Sequence, residues 1–507
     1  MSAEGQGRLQ EIAVQAIDGK RLEPLIGPER MAAYEQAAVA ARALLDGRAV
    51  VNVNSTATGG GVAELLQSLL AYARGAGVDV RWLVLHGDPA FFGTTKRLHN
   101  WIYGAPGDGG SIGEGERLHY EAVAASNARE LLATVRQGDV VLLHDPQTAG
   151  MAPALQRAGI AVVWRCHIGC DVENDWTRRG WDFLRPYVAG ADAVVVSRAR
   201  FAPPWADPAR VHVIPPSIDP FAAKNEPMTS QQVRDALVYV GMLAGEVDGP
   251  NVPFTRRDGS PGRINRHVDI LQTGPPPPPA APLVVQVSRW DRLKDMAGVM
   301  KGFAEHVDPG LGAHLMLAGP SVTGVADDPE GAGVLAECIA QWRALPHEVR
   351  SRVHLACTPM ADPDEQSAII NALQRHATIV TQKSLAEGFG LTVAEAMWKQ
   401  RPIVAGAVGG IVDQIRDGED GILLADSTDL AAFGAAIERL LRDPLEAARM
   451  AQSARARALG EFLGDRHLQQ YGTLLAGLLD GRGGPAGDAT PARPAAPAPA
   501  PPRDPAP

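Results

Sequence analysis

Cysteine is scarce in this chain: 507 residues hold four, Cys166, Cys170, Cys338 and Cys357, with no CxxC pair and no metal-ligand spacing. That excludes a disulfide scaffold and a thiolate metal centre, and it favours free thiols in a reducing compartment. No apolar run approaches the roughly 18 residues a membrane helix needs, and the N-terminus lacks the apolar core of a secretory leader. A cytoplasmic protein without a membrane partner is expected. There is no excess of positive charge either: 48 Lys and Arg stand against 58 Asp and Glu, for a net charge of -10. A broad nucleic-acid surface, which binds through clustered Lys and Arg, is therefore not expected.

What the chain does have is ample apolar material, 45% hydrophobic residues with 21% charged, in a length that favours two large domains. After a helical lead-in, β-branched runs at 49–55, 80–85, 140–144, 161–167, 193–197 and 211–215 alternate with helical stretches, the pattern of a doubly wound parallel sheet. Residues 221–282 mix polar segments with five consecutive prolines at 275–279 and read as a connector or insertion. The alternation restarts at 283–288 and continues through 313–319, 352–357, 377–382, 402–406 and 421–425. The expected division is residues 1–217 and 218–460, each a Rossmann-like domain, with a helix at 461–482 returning to the first. The tail at 483–507, rich in Pro and Ala, is expected to be disordered.

Open α/β sheets bind ligands at the carboxyl ends of their strands, and the unusual residues of this chain cluster there. Gly59, Gly60 and Gly61 separate a strand from a helix N-terminus, where free N–H groups attract anions or hydroxyls. The spacing matches neither GxGxxG nor the P-loop, and a ligand-free turn is a serious alternative. His144 and Asp145 end one strand; Arg165, His167 and Asp171 stand at the next, where the His and Asp side chains can accept hydrogen bonds from sugar hydroxyls or be satisfied structural residues. Arg289 and Lys294 follow the first strand of the second domain, suited to clasping an anion or to pairing with Asp291 and Asp295.

The most specific stretch is Glu387 to Glu395, EGFGLTVAE. Gly388 and Gly390 allow a tight turn, leaving the N–H groups of Leu391 and Thr392 free for a diphosphate at the positive end of a helix, with Phe389 between the glycines. Glu387 can then accept from ring hydroxyls and Glu395 from the vicinal hydroxyls of a ribose. Gly409 and Gly410 form a further glycine pair before a helix, where a plain turn is almost as well supported.

Taken together, the glycine turn, the histidine strand ends, the Arg and Lys pair and the two glutamates resemble the retaining glycosyltransferases of the GT-B fold over residues 45–480. The likeness is greatest to the trehalose synthase branch, in VNVNSTATGGGVAELL, GDPAFFGTTKRLHN, HDPQTAGM, WRCHI, VSRWDRLKD and QKSLAEGFGLTVAEAMW. The resemblance implies a GT-B fold, two Rossmann-like domains facing across a cleft, and transfer of glucose from UDP-, ADP- or GDP-glucose to free glucose. It implies Arg289 and Lys294 on the donor diphosphate, Glu387 on the transferred glucose and Glu395 on the ribose. Gly60, Gly61 and His167 line the cleft, and His144, Asp145, Arg165 and Asp171 lie on the acceptor side. It implies no metal and no cofactor beyond the substrate nucleotide, and leaves a homodimer open. A GT-B enzyme with another sugar or sugar-phosphate acceptor and a non-catalytic nucleotide-sugar binder are the rival readings.

Overall fold

The computed structural model describes residues 8–57, 60–247, 252–322 and 330–483. Gly59 and, beyond Gly483, the Pro- and Ala-rich tail lie outside them. The apolar runs of the N-terminal half form a seven-stranded sheet from β1 (Gln10–Ile12), β2 (Val50–Asn54), β3 (Val80–Val84), β4 (Val140–His144), β5 (Ala161–Cys166), β6 (Ala193–Val196) and β7 (Val211–Val213). Its order is β1-β3-β2-β4-β5-β6-β7, parallel except for the edge strand β1. Helices cover both faces, so β2, β4 and β5 are buried throughout and read as continuous apolar runs without alternation.

The second half repeats the design. After a small hairpin of β8 (Val252–Thr255) and β9 (Pro261–Ile264), a second sheet contains β10 (Asp269–Leu271), β11 (Leu283–Val287), β12 (His314–Pro320), β13 (Val353–Thr358), β14 (Ile379–Gln382), β15 (Ile403–Gly406) and β16 (Ile422–Leu424). The order β10-β13-β12-β11-β14-β15-β16 reverses direction between β11 and β14, as the first sheet does between β2 and β4. At such a reversal the flanking crossovers leave to opposite faces and open a crevice at the strand ends. These two α/β sheets, with their crevices opposed, make a GT-B fold.

Three pieces were not foreseen as strands. β1 and β10 are antiparallel edge strands of three residues, too short for a periodic signal, and the β8–β9 hairpin lies within the stretch read as a connector. The chain crosses between domains twice, and the two crossings are stitched together. The Ile218 N–H donates to the Phe462 carbonyl at 2.9 Å, Arg466 donates to the carbonyls of Pro215 and Pro216, and Ser217 Oγ lies 2.9 Å from His467 Nδ1. Helix Gly464–Gly483 then packs Tyr471, Leu474 and Leu475 against Leu66, Leu69 and Leu70 of the first domain. Among the described residues no helix is long and apolar enough to cross a membrane.

Candidate active site

At the carboxyl end of β11 the chain passes through Ser288 and Arg289 into a tight turn. Asp291 accepts from the Leu293 N–H at 2.8 Å, and Asp295, at φ +50°, caps the next helix by accepting from Gly298 N–H at 3.1 Å. This turn throws Lys294 toward the end of β14. There Gln382 binds the two strand ends into one unit, donating to Ser288 Oγ at 3.0 Å and Ser384 Oγ at 2.9 Å while accepting from Thr392 Oγ1 at 3.0 Å. The result is an ion pair: Lys294 Nζ lies 2.7 Å from Glu387 Oε2, which also accepts from Ser384 Oγ at 3.3 Å. Arg289 Nη2 lies 3.3 Å from Asp291 Oδ2.

Gly390, at φ +88°, ends the loop and begins helix Leu391–Trp398. Glu395 in its second turn is buried, with Oε1 3.6 Å from Lys224 Nζ and no hydrogen-bond partner for Oε2 among the described residues. Burial raises its carboxyl above the ordinary value against the pull of Lys224 and Lys399. Lys224, on the first crossing, also reaches Glu64 Oε2 at 2.8 Å, so the Glu395 carboxylate is tied to the chain that joins the domains. Gly409 is confined by Glu387: a Cβ added to it would lie 1.6 Å from the Glu387 carbonyl oxygen, so this glycine pair supports the loop from behind.

The first domain supplies the opposite wall. Helix Pro89–Ile102 brings Lys96 within 3.5 Å of Asp291 across the cleft, with His99 and Tyr103 beside it. Burial pushes the Asp291 carboxyl up, but Lys96, Arg289 and Lys294 outweigh it and hold the group well below the usual carboxylate range. His144 Nδ1 lies 3.0 Å from His167 Nε2, and His144 Nε2 lies 3.0 Å from Asn52 Oδ1. Since the Asn52 oxygen only accepts, His144 donates from Nε2 and accepts at Nδ1 from His167, leaving His167 Nδ1 as an acceptor. Both rings are neutral: burial and the nearby Arg165 push His144 down to about 3 and His167 well below its ordinary value. Asp145, at φ +63°, accepts from the His167 N–H at 2.7 Å, and burial lifts its carboxyl to about 7.

These walls enclose a cavity of about 410 Å³ between the domains. It brings together Gly60, Gly61, His144, Asp145, His167, Arg289, Lys294, residues 387–392 and Glu395. Two expected acceptor residues do not reach it. Arg165 is fully buried, donating to Ser197 Oγ at 3.2 Å, because strand alternation puts it on the sheet face covered by helix Gly464–Gly483. Asp171 instead bridges the domains away from the cavity, pairing with Arg198 and accepting from Gly409 N–H at 2.7 Å, while Arg198 also reaches Asp413 at 2.6 Å. Sequence reasoning missed Lys96, His99, Tyr103 and Lys224; the spacing of Lys96, His99 and Tyr103 on one helical face was the available signal, whereas Lys224 had none.

The domains touch closely along the cleft. A Cβ on Gly388 would lie 2.5 Å from the His167 carbonyl oxygen and 3.0 Å from the Tyr103 hydroxyl, and one on Gly61 would meet Leu391 Cδ1 at 3.1 Å.

Comparison with known proteins finds relatives for both halves of the chain. Residues 52–203 match the family described as trehalose synthase, N-terminal domain, and residues 361–457 match glycosyl transferases group 1. The trehalose synthase of Pyrococcus horikoshii is 30% identical over 457 residues, 90% of this chain and 95% of that protein. That of Rubrobacter xylanophilus is 33% identical over 443 residues, 86% and 92% of the two chains. A trehalose phosphorylase of Pleurotus sajor-caju is 24% identical over 408 residues, 75% of this chain and 51% of that one. Among solved structures, the α,α-trehalose 6-phosphate synthase of Burkholderia multivorans superposes with a TM-score of 0.63 at 16% identity, covering 86% of this chain and 99% of that one, which establishes the fold. The chain belongs to the trehalose synthase family and is a glycosyltransferase of the GT-B fold.

Proposed function

We propose that this enzyme transfers glucose from a nucleoside-diphosphate glucose to the anomeric hydroxyl of free glucose, forming trehalose with retention at the transferred carbon, and that it runs in both directions. The observation that carries this reading is the Lys294 and Glu387 pair on the cavity floor, 2.7 Å apart and beside Arg289. A diphosphate displaces Glu387 from Lys294. The cation then faces the departing phosphate and the freed carboxylate accepts from hydroxyls of the glucose. Leu391 and Thr392 N–H, at the start of their helix, meet the diphosphate, and Glu395 Oε2 accepts from the ribose.

The acceptor glucose lies against the first-domain wall, with His167 Nδ1 as a hydrogen-bond acceptor for one of its hydroxyls and Asp145 beside it. In the transfer the bond from the anomeric carbon to the phosphate oxygen breaks while a bond to the acceptor oxygen forms on the same face. The acceptor proton passes to the leaving phosphate oxygen. Negative charge grows on the diphosphate, where Arg289 and Lys294 stand ready, and domain closure keeps water out.

Product analysis with labelled glucose against UDP-, GDP- and ADP-glucose tests the reading. Labelled trehalose and an equal amount of nucleoside diphosphate are expected, and trehalose with a nucleoside diphosphate should regenerate nucleotide glucose. Product only with glucose 6-phosphate as acceptor, or glucose 1-phosphate released from trehalose and inorganic phosphate alone, refutes it.

A further inference from the structure

The β8–β9 hairpin is held over the second domain by an unusual number of charges for so small an element. Arg256 Nη1 lies 2.6 Å from Asp362, Arg257 Nε donates to Asp364 Oδ1 at 2.7 Å, and Glu365 accepts from the N–H groups of Asn265 at 2.6 Å and Arg266 at 2.8 Å. All three acids lie at the start of helix Pro363–His376, which follows β13 on the donor side of the cleft. The hairpin tip thus reaches the cavity that Glu395 also lines. Arg257 lines the cavity there together with Thr358, Met360, Pro363 and Gln366. It also lines an adjoining cavity of about 260 Å³ beside the first crossing between the domains. Asp364 holds Nε, and the two Nη groups make no further hydrogen bond among the described residues.

Gln366 has a fixed orientation. Thr358 Oγ1 donates to the Gly319 carbonyl at 3.0 Å, so its proton is spent and it can only accept from Gln366 Nε2, 2.9 Å away. The amide oxygen of Gln366 is left as an acceptor. This end of the cavity therefore offers hydrogen-bond donors from Arg257 and an acceptor from Gln366.

We propose that Arg257 selects the donor nucleobase, favouring an edge on which a carbonyl adjoins a ring N–H, as in uracil and guanine, over adenine. This rests on the donor-site reading above. On the oxo bases the carbonyl meets the guanidinium and the N–H meets the Gln366 oxygen. Adenine presents the reverse, an amino group toward a group that only donates and a ring nitrogen toward a carbonyl, and such a mismatched edge is penalised.

Calorimetric titration of the full chain with UDP, GDP and ADP tests this, using the wild type, Arg257→Ala, Arg257→Lys and Lys294→Ala. The wild type is expected to bind UDP and GDP at least about tenfold more tightly than ADP. Arg257→Ala should weaken UDP and GDP by about tenfold or more, leave ADP within about threefold, and retain the wild-type melting temperature because the side chain is partly exposed. Arg257→Lys, with donors but no fork, should fall between. Lys294→Ala should weaken all three alike. ADP binding as tightly as UDP and GDP in the wild type, or an equal loss for all three in Arg257→Ala, overturns the inference alone. Absence of binding by every nucleoside diphosphate overturns the donor reading with it.

Discussion

Lys294→Ala and Glu387→Gln should act differently although the two side chains form one ion pair. With Nζ and Oε2 2.7 Å apart and side-chain exposures of 16% and 11%, the pair is largely desolvated. Removing Lys294 leaves an uncompensated carboxylate in a confined place, which should cost about 2 kcal/mol of stability, below the 3 to 5 of a fully buried pair. It also removes a cation from the departing diphosphate. A preorganised donor at such a position is worth about 3 kcal/mol in the transition state, so turnover should fall by about a hundredfold, and nucleoside diphosphate should bind more weakly. Glu387→Gln should also slow turnover, because the neutral amide no longer accepts well from the sugar. It frees Lys294, however, so nucleoside diphosphate affinity should hold or rise. The double variant should recover the lost stability and none of the activity. Steady-state kinetics, calorimetric titration and thermal melts of the three variants measure these quantities. Lys294 does not face the departing diphosphate if Glu387→Gln weakens nucleoside diphosphate as much as Lys294→Ala does, or if turnover of Lys294→Ala stays near normal.

Asp145 should leave a pH signature on stability. Its carboxyl sits at about 7 in the fold against 3.8 for the free group, so between those values the folded state holds a proton that the unfolded state has released. Stability should therefore fall as pH rises through that window, by at most about 4 kcal/mol, and Asp145→Asn should remove the slope. Melting temperatures of the two proteins at about pH 5 and about pH 8 decide it, and a wild type that gains on the variant with rising pH contradicts it. Gly388→Ala puts a Cβ 2.5 Å from the His167 carbonyl across the cleft, so it should lower kcat/KM by more than about tenfold with little change in melting temperature; normal kinetics would mean the domains do not meet there during turnover. Arg198→Ala cuts the bridge from Asp171 to Asp413 and should enlarge the radius of gyration of the free enzyme in solution scattering, with a higher KM for donor; an unchanged radius would rule out that bridge as a clasp.

Strand and helix alternation was legible in the sequence because both sheets are buried on both faces, which makes each parallel strand a short β-branched run such as AVVNVNS or LVVQVS. The half of the site carried by the second domain was legible for a related reason. Arg289, Lys294, Glu387 and Glu395 lie within short turns directly after such runs, so local chain geometry already places them at strand ends. The rest depended on contacts between distant segments. Lys224 meets Glu395 only because the crossing chain folds back over helix Leu391–Trp398. Lys96 faces Asp291 only because the two domains meet across the cleft. Arg165 and Asp171 look like site residues by position along the chain, yet one turns beneath the sheet and the other joins the domains, since the strand's pleat and the partner domain settle where such side chains go. The hairpin that carries Arg257 has too few residues for a periodic signal, and its position over the cleft is set by Asp362, Asp364 and Glu365, about a hundred residues later.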